Sequence, residues 1–197
     1  MERENAVGCL IIDDFRSGGD DLSGLCFAAG LRPYPFDWDG KERPLPALQE
    51  LLQQARRECG AAAILARGRG CGAALALAEQ LPVERLALIE PERALRGGLA
   101  RRAPLERLNA FARRNLSLCV SDALVIEHED SRGCKHLRDG GFCAHARLAR
   151  LTYGGERDKE LYTICENTTK TAVTHFLRAG ECPKELAENP EMCIIDG

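Results

Sequence analysis

A three-layer α/β sandwich, built on a mostly parallel sheet of about six strands, is the fold class this sequence predicts. Short, uniformly apolar runs recur along the chain, and amphipathic stretches of helical spacing separate them. At 197 residues and 45% hydrophobic content the chain suffices for one well-buried domain, 1–197. An apolar run without polar alternation marks a strand covered on both faces. Such strands are parallel, and parallel strands need crossover connections, which helices supply in a right-handed sense.

The elements follow in order. Val7 to Ile12 is the first strand, and Leu22, Leu25, Cys26 and Ala29 then repeat at helical spacing. Pro33 to Phe36 carries a fainter strand signal. Leu45, Leu48, Leu52 and Ala55 mark the second helix, Ala61 to Ala66 the third strand, and Ala74, Leu77, Ala78 and Leu81 the third helix. Leu86 to Ile89 is the fourth strand. The rhythm then breaks from Pro91 to Leu118, where seven arginines stand against two glutamates and Gly97 and Gly98 are paired; this segment, 91–118, is expected to be a lid-like helical insertion. Ala123 to Ile126 and the fainter Leu148 to Tyr153 complete the strands. Val173, Phe176 and Leu177 mark a closing helix that Gly180 stops. The tail, 181–197, holds five acids to one lysine and is expected to dock or to lack order. The spatial strand order expected is 2-1-3-4-5-6, with the loop after the third strand beside the end of the first.

A net charge of −3 offers no overall attraction for nucleic acid, and no apolar run approaches the roughly 18 residues of a membrane span. The first ten residues lack a basic region leading into an apolar stretch, so no secretory signal is expected and the assignment is cytoplasmic. Ten cysteines are spread along the chain, and Cys9, Cys26 and Cys119 lie in apolar elements, as reduced core thiols do.

One loop carries most of the chemistry. The strand Ala61 to Ala66 runs into Arg67-Gly68-Arg69-Gly70-Cys71-Gly72, and helical spacing starts at once with Ala73 and Ala74. A strand, a tight turn and a helix N-terminus follow one another, with glycines that permit positive φ and close approach. Such a turn suits a nucleophile or an anion.

From the opening strand to the last helix, the chain resembles a small α/β-hydrolase without that superfamily's first two strands. Ile11-Ile-Asp13-Asp14-Phe15 resembles the strand that leads into the His-Gly-Phe oxyanion loop, with Phe15 matching and the His and Gly replaced by Asp. Pro33-Tyr-Pro-Phe-Asp37, Leu86-Ala-Leu-Ile-Glu-Pro91 and Leu124-Val-Ile-Glu-His-Glu-Asp130 resemble later strands in family order, the last ending where the family carries its acid. The G-x-S-x-G elbow falls on Ala66 to Gly70 or on Gly68 to Gly72. Its nucleophile slot is then Gly68 or Gly70, and glycine has no side chain with which to attack a carbonyl. A further shift puts Cys71 in the slot, with Arg69 and Ala73 in the flanking glycine positions. Where the family's histidine belongs the sequence runs Tyr153-Gly-Gly-Glu-Arg-Asp158. The catalytic candidates are therefore Cys71, Asp130 and His128, while His175 belongs to the closing helix. The resemblance implies a non-catalytic or regulatory ligand-binding homologue, or else a hydrolase or thioesterase that uses Cys71.

Other readings of the same residues stay open. Gly68 to Ala73 spells G-x-G-x-x-A, and Glu90 lies twenty residues past Gly70, a spacing similar to Rossmann-like dinucleotide or S-adenosylmethionine sites. A lone fingerprint is weak, and it normally follows the first strand, so no cofactor is assigned. Phe15, Arg67, Arg69 and Gly70 form a candidate anion site at the helix N-terminus, with Asp13 and Asp14 opposing it. Cys134, His136, Cys143 and His145 place four metal-ligand types within twelve residues, although short C-x-H pairs strain one tetrahedral zinc. The expected partner is a small anionic molecule, with a second copy of the chain as a further candidate and nucleic acid and membrane excluded.

Overall fold

Alternate residues of the central strands are buried on opposite faces of one sheet, which is why their sequences show no polar alternation. The computed structural model describes residues 7–13, 20–36, 45–68, 70–89, 120–128, 147–153, 170–180 and 192–194. The elements are β1 (Val7–Ile12), α1 (Asp20–Ala28), β2 (Arg32–Phe36), α2 (Leu45–Cys59), β3 (Ala61–Arg67), α3 (Gly70–Ala78), β4 (Val83–Ile89) and β5 (Val120–His128). After these come β6 (Arg147–Tyr153), a helix over 170–179, here α4, and β7 (Met192–Ile194).

Five parallel strands in the order β2-β1-β3-β4-β5 make the centre of the sheet. β6 extends it in parallel and β7 closes it antiparallel. The central order agrees with the sequence expectation; β1 has the bounds of its predicted run, and β2 to β5 extend theirs at one or both ends. β7 adds a strand from the segment expected only as a tail. The insertion 91–118 and the rest of the tail lie outside the described residues.

The two faces carry different helices. Leu10, Ile12, Ile64, Ala66, Leu86 and Leu88 pack with α2 and α3. Cys9, Ile11, Leu65, Ala87, Leu124 and Ile126 pack with α1 and α4 on the other side. β1 therefore sends its chain to one face and β3 sends its chain to the other. The helices that follow β1 and β3 lie on opposite faces of the sheet, and open α/β sheets bind ligands outside the carboxyl ends of strands at such a boundary.

Two details secure this frame. β2 is an edge strand carrying Pro33 and Pro35, which stand in register with Cys9 and Ile11 of β1. Successive residues point their N–H groups to opposite edges, so the two prolines share the outer edge and deprive it of donors for a foreign strand. At the amino end of the sheet Arg85 of β4, in register with Asp122 of β5, caps α4 by donating to the carbonyls of Leu177 and, at 3.0 Å, Arg178. Gly180 ends the helix with φ +78°, and its N–H donates to Phe176 O at 2.7 Å.

Candidate functional site

The β3–α3 turn stands at the carboxyl end of β3, beside β1, because Ile12 is in register with Ala66. Its geometry follows from its glycines. Gly68 has φ +57°, a left-handed conformation that costs other residues about 1–2 kcal/mol. Its N–H donates to Ile89 O of β4 at 2.9 Å, and its carbonyl accepts from the Cys71 N–H at 3.2 Å. Gly70 opens α3 directly against the end of β1. A Cβ built there would fall 2.2 Å from Ile12 O and 2.8 Å from Ile12 C, both backbone atoms that cannot swing away. A side chain at Gly70 is sterically forbidden unless strand and helix move apart.

The two glycines are held by different constraints, a left-handed φ at Gly68 and crowding against β1 at Gly70. The elbow of the hydrolase superfamily places its nucleophile on a sharp strand-to-helix turn, with glycine required where helix and strand crowd. The frame Ala66-Arg67-Gly68-Arg69-Gly70 puts the strained conformation at its centre and the crowded glycine two residues later. The frame centred on Gly70 would need a side chain where none fits.

Cys71 is fully buried in the α2/α3 core. Its Sγ lies 3.5 Å from Ala66 O and 3.4 Å from Ile89 O, so the thiol is directed at carbonyls ending β3 and β4. Thiols that attack electrophiles are at least partly exposed and sit in electropositive surroundings. Cys71 instead is fully buried, with its thiol directed at two main-chain carbonyls.

Arg67 and Asp13 form the charged feature of this mouth. The Arg67 Nε donates to Asp13 Oδ1 at 2.8 Å and its Nη2 to Asp13 Oδ2 at 2.6 Å, a two-pronged pair between the ends of β3 and β1. The side chains are only 19% and 16% exposed. Register explains the meeting. Ile12 beside Ala66 puts the next residue of each strand side by side, and the acid seen in the sequence as an opponent of Arg67 is its partner. Phe15, Arg69, Glu90, Asp130, Cys134, His136, Cys143 and His145 lie outside the described residues. His128 ends β5 beside Tyr153 of β6, three strands from β1, so its backbone stands well away from the carboxyl end of β1.

Other titratable groups cluster elsewhere. At the β2 edge the Tyr34 hydroxyl donates to Glu58 Oε2 at 2.8 Å and lies 3.5 Å from Cys59 Sγ, while Arg32 pairs with Glu58 at 2.9 Å. Burial first, then these hydrogen bonds, push the tyrosine hydroxyl above its usual range. The Gln54 amide, then the Tyr34 hydroxyl, hold the Glu58 carboxyl below its usual range. Cys9 of β1 shares a thiol–thiol hydrogen bond with Cys26 of α1, and this bond together with burial raises the Cys9 thiol. The four cysteines whose surroundings are described, Cys9, Cys26, Cys59 and Cys71, are all buried.

Among the described residues no group of three or more His, Cys, Asp or Glu side chains is placed to hold a metal ion, and no helix is long and apolar enough to cross a membrane. Neither a protein-family model nor a curated protein matches the chain.

Proposed function

We propose that this chain is a non-catalytic, ligand-binding relative of the α/β-hydrolases, in which the nucleophile elbow survives as a backbone turn while its chemistry is gone. One observation carries the reading. Gly68 occupies the strained centre of the turn, and the closing Gly70 is pressed against the Ile12 carbonyl, so the turn has an elbow's backbone demands and no attacking side chain.

The alternative of a Cys71 thioesterase is disfavoured by the burial of that thiol and by the carbonyls it faces. A Rossmann-like site is disfavoured because the glycine loop follows the third strand of the chain and not the first. What the turn retains is a helix start beside the Arg67–Asp13 pair, at the carboxyl ends of β3 and β1. A small anion is the ligand class best suited to a helix start beside an arginine.

Thermal melting in titrations of phosphate and acetate tests the binding half of the reading. A dose-dependent rise in Tm is expected through linkage. A melting temperature indifferent to both anions up to tens of millimolar, roughly the range where weak sites fill, would remove the ligand-binding role.

A further inference from the structure

We infer that Cys9 and Cys26 form a redox-responsive pair beneath α1: a peroxide that reaches them when α1 lifts from the sheet joins them in a disulfide, which fastens the helix to β1.

Cys9 of β1 and Cys26 of α1 are both fully buried, lie in one core cluster with Leu22 and Leu25, and are not joined in a disulfide. Their thiols are hydrogen-bonded to one another, so the two sulfurs are neighbours across the contact between helix and sheet. Packing asks only for small apolar volume at such positions; two cysteines that meet there bring a chemistry the core does not need. The bond to Cys26, then burial, holds the Cys9 thiol well above its usual range, so it stays protonated and inert while α1 is seated.

The helix over the pair is built to be loose. α1 is nine residues long, shorter than the roughly 12–15 residues with which a helix begins to persist alone in water. Its middle residue is Gly24, and a Cβ built there would meet nothing described within 4 Å, so packing does not require a glycine whose flexibility weakens the helix. α1 is therefore held by the packing of Leu22, Leu25 and Cys26, and its lifting uncovers both thiols together.

The chemistry balances on the two thiols and one hydrogen peroxide. One thiolate attacks a peroxide oxygen, the O–O bond breaks, and the departing hydroxide takes up a proton as water. The second thiol then attacks the sulfenic sulfur, the S–O bond breaks, and a second water leaves as the S–S bond forms. Two thiols are oxidised and the peroxide is reduced to two waters.

The test treats the whole native chain with hydrogen peroxide, blocks remaining thiols by alkylation, and maps tryptic peptides without reductant. Cys9 and Cys26 fall on separate peptides, 4–16 and 17–41, each with a single cysteine. The expected product is these two peptides joined, two hydrogens lighter than their sum and parted by dithiothreitol. The oxidised chain is expected to melt about 5 °C or more above the reduced one. Gly24→Ala, which firms α1 without a clash, is expected to slow formation of the joined product about two- to fivefold. Cys26→Ala, which keeps a small apolar residue in the core, is expected to lose both the product and the gain in melting temperature.

Oxidation of other cysteines without the joined product, in a chain whose circular dichroism stays native, would overturn the inference. An equal rate in Gly24→Ala would overturn it too, because the thiols would then be reached without movement of α1. A joined product with an unraised melting temperature would likewise contradict the fastening of α1.

Discussion

Arg67 and Arg85 stand at opposite ends of the same sheet, and the structure employs them differently. Arg85, at the amino end, donates to main-chain carbonyls that end α4, so its charge meets the negative end of a helix and fastens the C-terminal helix to the sheet. Arg67, at the carboxyl end, meets a side-chain carboxylate across the gap between two diverging connections. A carbonyl at a helix end is fixed by its own backbone, whereas an aspartate can rotate away. The first contact is a joint of the fold. The second joins the carboxyl ends of two neighbouring strands, side chain to side chain.

The difference can be broken by substitution. The largest effect is expected at Gly70, where Gly70→Ala drives a methyl group into the Ile12 carbonyl. A loss of about 3 kcal/mol or more is expected for such backbone overpacking, seen as a Tm lower by roughly 6–12 °C for a chain of this size. A near-neutral Gly70→Ala would mean that α3 is not seated on β1 as described. Arg85→Ala should cost about 2 kcal/mol, because the helix-end carbonyls lose a charged donor, and urea unfolding would measure it. The same method should find about 1–2 kcal/mol for Gly68→Ala, from the left-handed backbone, with Gly68→Asn milder. Asp13→Asn, which keeps one acceptor oxygen, should cost about 1–2 kcal/mol, for a charged pair that is mostly buried. If Asp13→Asn proved costlier than Arg85→Ala, the two arginines would both be joints and the contrast between the ends would vanish.

The smallest effect concerns pH. The folded state holds the Glu58 carboxyl below its ordinary range, chiefly through the Gln54 amide and the Tyr34 hydroxyl. A depressed carboxylate contributes stability above its unfolded pKa and loses it as pH falls through its folded one. Melting curves of wild type and Glu58→Gln should therefore converge on acidification, from a gap at neutral pH. Curves that stay parallel would show that Glu58 gains nothing from its neighbours.

Much of this frame was legible in the sequence because burial on both faces leaves a plain mark. Val7 to Ile12 and Ala61 to Ala66 are apolar throughout, and residues as small as Ala62 and Ala63 lie buried beneath helices on either side. The strained glycine turn was legible too, as a run of alternating glycines between a strand and a helix. What holds each glycine was not, since the letters alone do not show the left-handed φ of Gly68 or the crowding of Gly70 against Ile12. The pairing of Asp13 with Arg67 was missed for a related reason. The residues are 54 positions apart, and no local pattern states that Ile12 aligns with Ala66. The direction of the Cys71 thiol depends on the phase of a helix that is apolar nearly all round, so no polar face revealed it. Arg85 escaped notice because its partners are carbonyls, which every sequence supplies and none displays.

Acylation of the turn is the most direct probe of its proposed loss of chemistry. The native chain is exposed to p-nitrophenyl acetate at neutral pH, nitrophenol release is followed, and acetyl groups are mapped by mass on the segment from Ala61 to Ala78. Release at the background rate and no acetyl group on that segment are the results expected of a turn with glycine at its centre and its one thiol buried against Ala66 O and Ile89 O. Rapid release with acetylation of Cys71, both abolished by Cys71→Ala, would contradict it.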